Sequence, residues 1–169
     1  MGPRSAPERA RTGARAGLAV LLALLLADAP GARAAQPTSL AGFAGWPRAV
    51  IEIRTRAARL RFNTTIADTP ARQEQGLMFV GALDADESMW FPQPRPRPMQ
   101  MWMKDTLIPL DMLFVDARGR VACIAAHTVP QSLELIGCPV AVSGVLEIGA
   151  GEAGRRGVHR GDRVAILQR

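Results

Sequence analysis

The stretch Leu113-Phe114-Val115, followed after Ala117-Arg118-Gly119 by Val121, Cys123 and Ile124, constrains the fold more than any other part of the chain. Successive side chains of a strand point to opposite faces, so a strand with one wet face alternates apolar with polar residues. Here adjacent positions are apolar as well as alternate ones. Both strands of the predicted hairpin, Asp111 to Asp116 and Arg120 to Ala126, must therefore be covered on two faces, as in the centre of a closed sheet.

Elsewhere the pattern is also that of strands. Val50 to Ile53 and Ala58 to Ile66 read as a hairpin whose second strand turns Leu60, Phe62, Thr64 and Ile66 inward and Arg59, Arg61, Asn63 and Thr65 outward. Met89 to Phe91, Met99 to Lys104, Val140 to Ile148 and Arg163 to Gln168 are further strands, with a turn at Gly161-Asp162. Thr69-Pro70 supplies an N-cap and a proline at the first helical position, which predicts a short helix through Gln75. Ala150 to Gly157 reads as a second short helix or turn weakened by glycine, and Pro92, Pro94, Pro96 and Pro98 predict an extended segment without regular pairing. About eight short strands against two short helices make the class mainly β.

The first 34 residues read as a secretory signal peptide. Arg4, Arg9, Arg11 and Arg15 precede an apolar core from Ala16 to Leu26, and Ala32-Arg33-Ala34 offers a cleavage site before Ala35. That core is shorter than the 18 or so residues a spanning helix needs, so no membrane insertion is expected after cleavage. Residues 35–48 read as a flexible leader, and 49–169 as a single domain in a periplasmic or secreted protein. Half of the net charge of +6 belongs to the signal peptide: residues 1–34 carry five arginines against Glu8 and Asp28, which leaves +3 on the mature chain. Its arginines are scattered and no zinc pattern accompanies them, so nucleic acid is not an expected partner. Cys123 and Cys138, both in the exported part, are candidates for a disulfide, although Cys123 in an apolar strand reads equally well as a small buried hydrophobe.

Four motifs carry a family resemblance. They are Gly76-Leu77-Met78; Trp102-Met103-Lys104-Asp105-Thr106-Leu107-Ile108-Pro109-Leu110-Asp111; Val145-Leu146-Glu147-Ile148; and Gly161-Asp162-Arg163-Val164. In this order they resemble the bacterial and archaeal family called domain of unknown function 192, which has no agreed biochemical activity. The resemblance implies a small barrel-like sheet with little helix. The chain departs from the family pattern at Asp105, where an Asn is usual; at Val80, where a basic residue is usual; and at Met89-Trp90-Phe91, where the family tends to have Gly-Met-Leu-Phe.

The candidate ligand-binding residues are the aromatic and polar positions inside those motifs: Trp102, Lys104, Asp105, Thr106, Asp111 and Glu147. If Lys104 shares a cleft with Asp111 or Glu147, the cluster would bind an anionic or hydroxylated small ligand, or perturb a carboxylate for acid/base chemistry. The competing reading is a structural ion pair, which the apolar neighbours Met101, Met103, Leu107 and Leu110 favour for Lys104. Asp105 and Asp162 read as turn residues bonding their own backbone. Met99, Met101 and Met103 would line one strand face and suit Cu(I), although methionine is also ordinary core filler. His127 and His159 stand alone, and neither a serine nucleophile elbow nor a phosphate-cradling glycine loop is present. The expectation is a periplasmic small-ligand-binding or accessory module, monomeric and without a cofactor, with an acid/base enzyme as the alternative.

Overall fold

The computed structural model describes residues 39–168. The predicted signal peptide, its cleavage point and the first residues of the leader lie outside them. Nine strands are described: β1 (Arg48–Arg54), β2 (Arg59–Ile66), β3 (Glu87–Arg97), β4 (Gln100–Met101), β5 (Leu110–Val115), β6 (Val121–Ala125), β7 (Ile136–Gly137), β8 (Val142–Gly149) and β9 (Arg163–Gln168). The helices are α1 (Pro70–Gln75) and α2 (Glu152–Arg155). The protein is thus mainly β with two short helices, and α1 starts as its sequence predicts, with the Thr69 side chain accepting from Arg72 N–H.

Seven strands form one mixed sheet in the order β6-β5-β8-β3-β2-β1-β9, and β4 pairs with β7 in a separate two-stranded sheet. Neighbours are antiparallel except β2 and β3, which run parallel through the long connection that carries α1. The sheet curls until its two edges touch at one corner: Arg120 bridges Arg163, Val121 N–H donates to Asp162 O, and Val164 N–H donates to Gly119 O. This contact does not extend into a ladder, so the sheet is not closed into a barrel, contrary to the expected closure.

Both faces of the central strands are nevertheless buried. Inside the curl, Ile51, Ile53, Phe62, Trp90, Leu113, Val115, Val121, Leu146, Ile148 and Val164 pack together with Ala153 and Val158 from the α2 region. On the outer face a second core joins Met89 and Phe91 of β3, Met112 and Phe114 of β5, and Val142 and Val145 of β8. Leu40, Phe43, Leu77, Val80, Met99, Met103 and Cys138 cover it. The two-faced apolar pattern of β5 is therefore explained by a second layer and not by closure. Gly144 marks the tightest packing, since a Cβ there would lie 2.4 Å from the Trp90 ring and 2.6 Å from Phe91 O.

Three further departures from expectation follow, the first two from the second layer and the third from an unpaired edge. Leu40 and Phe43 are buried and Arg48 donates to Leu40 O at 2.9 Å, so the segment read as a flexible leader is packed from Leu40 onward. Thr65, expected to face water, is fully buried because its partner on β3, Met89, belongs to the outer core. The proline-rich segment continues β3 and pairs with β8 through Pro92, resuming at Arg97. The prolines are tolerated because pairing with β2 ends at Trp90, leaving an edge where a missing N–H costs nothing.

Candidate functional site

A pocket of about 730 Å³ opens in the outer layer. Its floor is the outer face of the main sheet, with Phe91 and Gln93 from β3 and Glu147 from β8. One wall is the end of α1 and the turn after it, Gln73 to Met78; the other comprises Pro98 to Trp102, Lys104, Thr106, Gly137 and Cys138. Gly76 ends α1 with φ 45° and lies over the Phe91 ring, where a Cβ would be 3.2 Å from the ring edge. Leu77 enters the outer core and Met78 faces the pocket, so each residue of the Gly-Leu-Met motif has a separate task.

Glu147 is the chemically unusual member. Its Cα partners are Met89 on β3 and Met112 on β5, both fully buried on the outer face. The other buried carboxylates among the described residues are all partnered. Glu52 takes hydrogen bonds from Arg54 at 2.7 Å and Arg61 at 3.4 Å, while Glu152 is bound by Arg155 and, at 2.6 Å, by Arg156. The hydrogen bond from Arg155 holds Glu152 below the usual carboxylate range. Asp111 accepts His127 N–H at 2.9 Å and Ala153 N–H at 3.0 Å. Glu147, 3 % exposed, has neither an ion pair nor a hydrogen bond to any described residue, and burial pushes its carboxyl up to about 8. Burial thus favours its protonated form at neutral pH.

The six predicted ligand residues divide accordingly. Trp102, Lys104, Thr106 and Glu147 line the pocket. Asp111 does not: it pairs with Ile148, while Met112 pairs with Glu147, and this one-residue offset turns Asp111 to the opposite face of the sheet. There it ties β5 to the His127 turn and to the first residues of α2. Asp105 has φ 53°, a left-handed conformation that Asn and Asp tolerate, which gives the family's usual Asn a backbone explanation. Its carbonyl accepts Phe79 N–H at 2.8 Å, stitching the two pocket walls together. Asp162 likewise acts on local backbone, accepting His159 N–H at 2.8 Å.

Lys104 is not half of a buried ion pair. The predicted strand from Met99 to Lys104 stops at Met101, and Lys104 sits exposed in a turn with Nζ 5.4 Å from the Trp102 ring centroid. The same short strand breaks the alternation expected of the three methionines: Met103 lies beyond it, fully buried in the outer core to which Met99 also belongs and against which Met101 packs, while Met99 and Met101 also line the pocket. Among the described residues, no group of three or more His, Cys, Asp or Glu is arranged to hold a metal ion. Sequence reasoning passed over Gln93, whose place on the strand could have flagged it, since Met89, Phe91 and Gln93 fall on one face and only the last is polar. Cys123 and Cys138 are disulfide-bonded with Cα atoms 5.9 Å apart, joining β6 to the pocket wall beside β7. By chain entropy such a bond contributes about 3 kcal/mol.

Comparison with known proteins agrees with the four motifs. The profile of the DUF192 family, described as an "Uncharacterized ACR", matches residues 51–166. The chain belongs to this family. The match takes in every main-sheet strand in whole or part and all of the pocket lining. A crystal structure from Sinorhizobium meliloti 1021, provisionally described as a transcription regulator, is 34 % identical with a TM-score of 0.70, covering 72 % of this chain and 95 % of that one. A crystal structure of a protein of unknown function from Novosphingobium aromaticivorans DSM 12444 is 35 % identical with a TM-score of 0.71, covering 72 % of this chain and 87 % of that one. No curated protein matches the sequence.

Proposed function

We propose that this protein is an exported binding module for a small polar ligand, held in the pocket between Glu147 on the floor and Trp102 and Lys104 at the mouth. The observation that carries this reading is Glu147, a buried carboxyl with no partner of its own at the bottom of an open pocket. Beside it Gln93 Nε2 is a buried donor without a partner, which costs about 1–3 kcal/mol, and a ligand that satisfies it recovers that energy. The volume, about 730 Å³, falls in the range of small-molecule sites, roughly 300–1,000 Å³. Trp102 and Lys104, both exposed, are free to make contacts on arrival of a ligand.

A thermal-shift screen over amino acids, sugars, organic acids and nucleosides tests the reading. At least one class should raise the unfolding temperature of the wild type. Trp102→Ala and Lys104→Met should unfold at nearly the wild-type temperature without ligand, because both side chains are exposed, yet lose the ligand-induced shift. A shift that survives both substitutions, or none with any compound, removes the pocket as the functional site.

Acid/base catalysis is the second reading, favoured by the raised Glu147 carboxyl, which would serve as a general acid near neutral pH. It predicts that Glu147→Gln keeps ligand affinity and abolishes turnover. Transcriptional regulation, the description given to the Sinorhizobium protein, is not adopted: the two helices among the described residues span six and four residues, too short to act as a groove-reading helix. Export rests on the charged leader, short apolar core and Ala-Arg-Ala site, and no helix among the described residues is long and apolar enough to cross a membrane. N-terminal sequencing of protein from its native host should begin at Ala35; recovery of intact residues 1–34 in the membrane fraction contradicts it.

A further inference from the structure

We infer that the ligand is an uncharged saccharide, a mono- or disaccharide whose hydroxyls are read by Glu147, Gln93 and Gln73 and whose ring packs on Trp102. The inference rests on the pocket being a ligand site and adds the class of molecule it takes. Three polar side chains of the lining have bonding capacity left over, and the protein has fixed the orientation of each amide. Gln93, 8 % exposed, accepts Arg97 Nε–H through Oε1 at 2.6 Å. Arginine only donates, so the amide cannot be reversed, and Nε2 is the end left as a buried donor without a partner. Gln73 donates from Nε2 to Pro92 O at 2.9 Å, which leaves Oε1 as an acceptor. Glu147, protonated at neutral pH, offers both a donor and an acceptor.

Donor, acceptor and mixed groups side by side suit hydroxyls, each of which donates once and accepts twice. They suit cationic ligands poorly. The charged residues lining the pocket with Glu147 are Glu74 at the end of α1, Arg97 on β3 and Lys104 in the 103–106 turn, and none of them bonds to Glu147. A cation meets Arg97 and Lys104; an anion meets the same two cations beside an uncharged Glu147 carboxyl, and what separates it from a saccharide is the acceptor left on Gln73 Oε1, which a hydroxyl satisfies and an anion does not. Trp102, 42 % exposed, presents the flat apolar surface against which the C–H face of a sugar ring can be desolvated.

The test is ligand-observed saturation-transfer NMR on the purified protein with maltose, cellobiose, trehalose and N,N′-diacetylchitobiose, with citrate and putrescine as charged comparators. At pH 6 at least one neutral disaccharide should bind, and its affinity should fall tenfold or more in Trp102→Ala and in Gln93→Leu. Raising the pH to 9 should weaken wild-type binding by a similar factor as Glu147 ionises, whereas Glu147→Gln, which keeps a donor and cannot ionise, should bind equally at both pH values. Trp102→Ala changes an exposed residue, so it keeps the test valid if Gln93→Leu fails to fold. Binding of citrate or putrescine with every disaccharide silent overturns the saccharide class while leaving the ligand site standing. A disaccharide signal unchanged by Trp102→Ala, or silence from all six probes, also overturns the proposal, and the wider screen with Lys104→Met then judges the pocket itself.

Discussion

Glu147→Gln should make the protein more stable than wild type at alkaline pH and barely different at pH 4. Unfolded, the Glu147 carboxyl titrates near its ordinary value of 4.5; folded, burial holds the proton to about pH 8. Between those values the folded state binds more protons, so wild-type stability falls as pH rises through that window. The stabilising contribution of the bound proton is complete below about pH 4.5 and gone above about pH 8. The shift sets an upper bound of about 5 kcal/mol, at 1.36 kcal/mol per pH unit. Glutamine has the same shape and no charge to desolvate. Urea unfolding at pH 4, 7 and 9 should therefore show the two proteins diverging by several kcal/mol as pH rises, and parallel curves would mean that Glu147 is solvated or paired in solution.

Asp111→Ala should be among the most destabilising single substitutions in the domain, although Asp111 lies away from the pocket. Its carboxylate is fully buried and satisfies two backbone N–H groups, of His127 and Ala153, which no other described group takes over. Each buried donor left without an acceptor costs about 1–3 kcal/mol, so the loss should reach about 2–5 kcal/mol and appear as a large fall in the urea midpoint. Asp111→Asn should recover part of the loss, since its one carbonyl oxygen still serves one donor. A fall of less than 1 kcal/mol in the alanine variant would show that the two loops are held by other contacts.

These two carboxylates also show what could be read from the chain and what could not. Local chemistry was legible: the Thr69-Pro70 helix start, the hairpins flanking Gly119 and joining β1 to β2, and the double-sided burial of β5 follow from residues close in sequence. Side-chain parity within a strand was legible as well. Parity between strands was not, because it depends on register: Met112, not Asp111, stands opposite Glu147, and a shift of one residue exchanges the faces. Lys104 misled for a related reason. Of its apolar neighbours, Met103 and Leu110 are buried in the outer core whereas Leu107 is itself exposed, so apolar sequence context did not imply burial of the residue between them. Gln93 was hidden by the prolines around it, which read as the end of a strand, whereas the unpaired edge beyond Trp90 allows the strand to continue.

That edge has a consequence for how the molecule behaves in a crowd. Trp90 O points toward β2, where it accepts Ala67 N–H, and in an extended strand residues two apart present their backbone groups to the same side. Pro92, Pro94 and Pro96 thus fall on the side that β2 has vacated. A strand arriving from another molecule would find the carbonyls of Pro94 and Pro96, that of Pro92 being taken by Gln73, but no N–H donors with which to start a ladder, so the longest strand in the sheet is a poor template for aggregation where it is least covered.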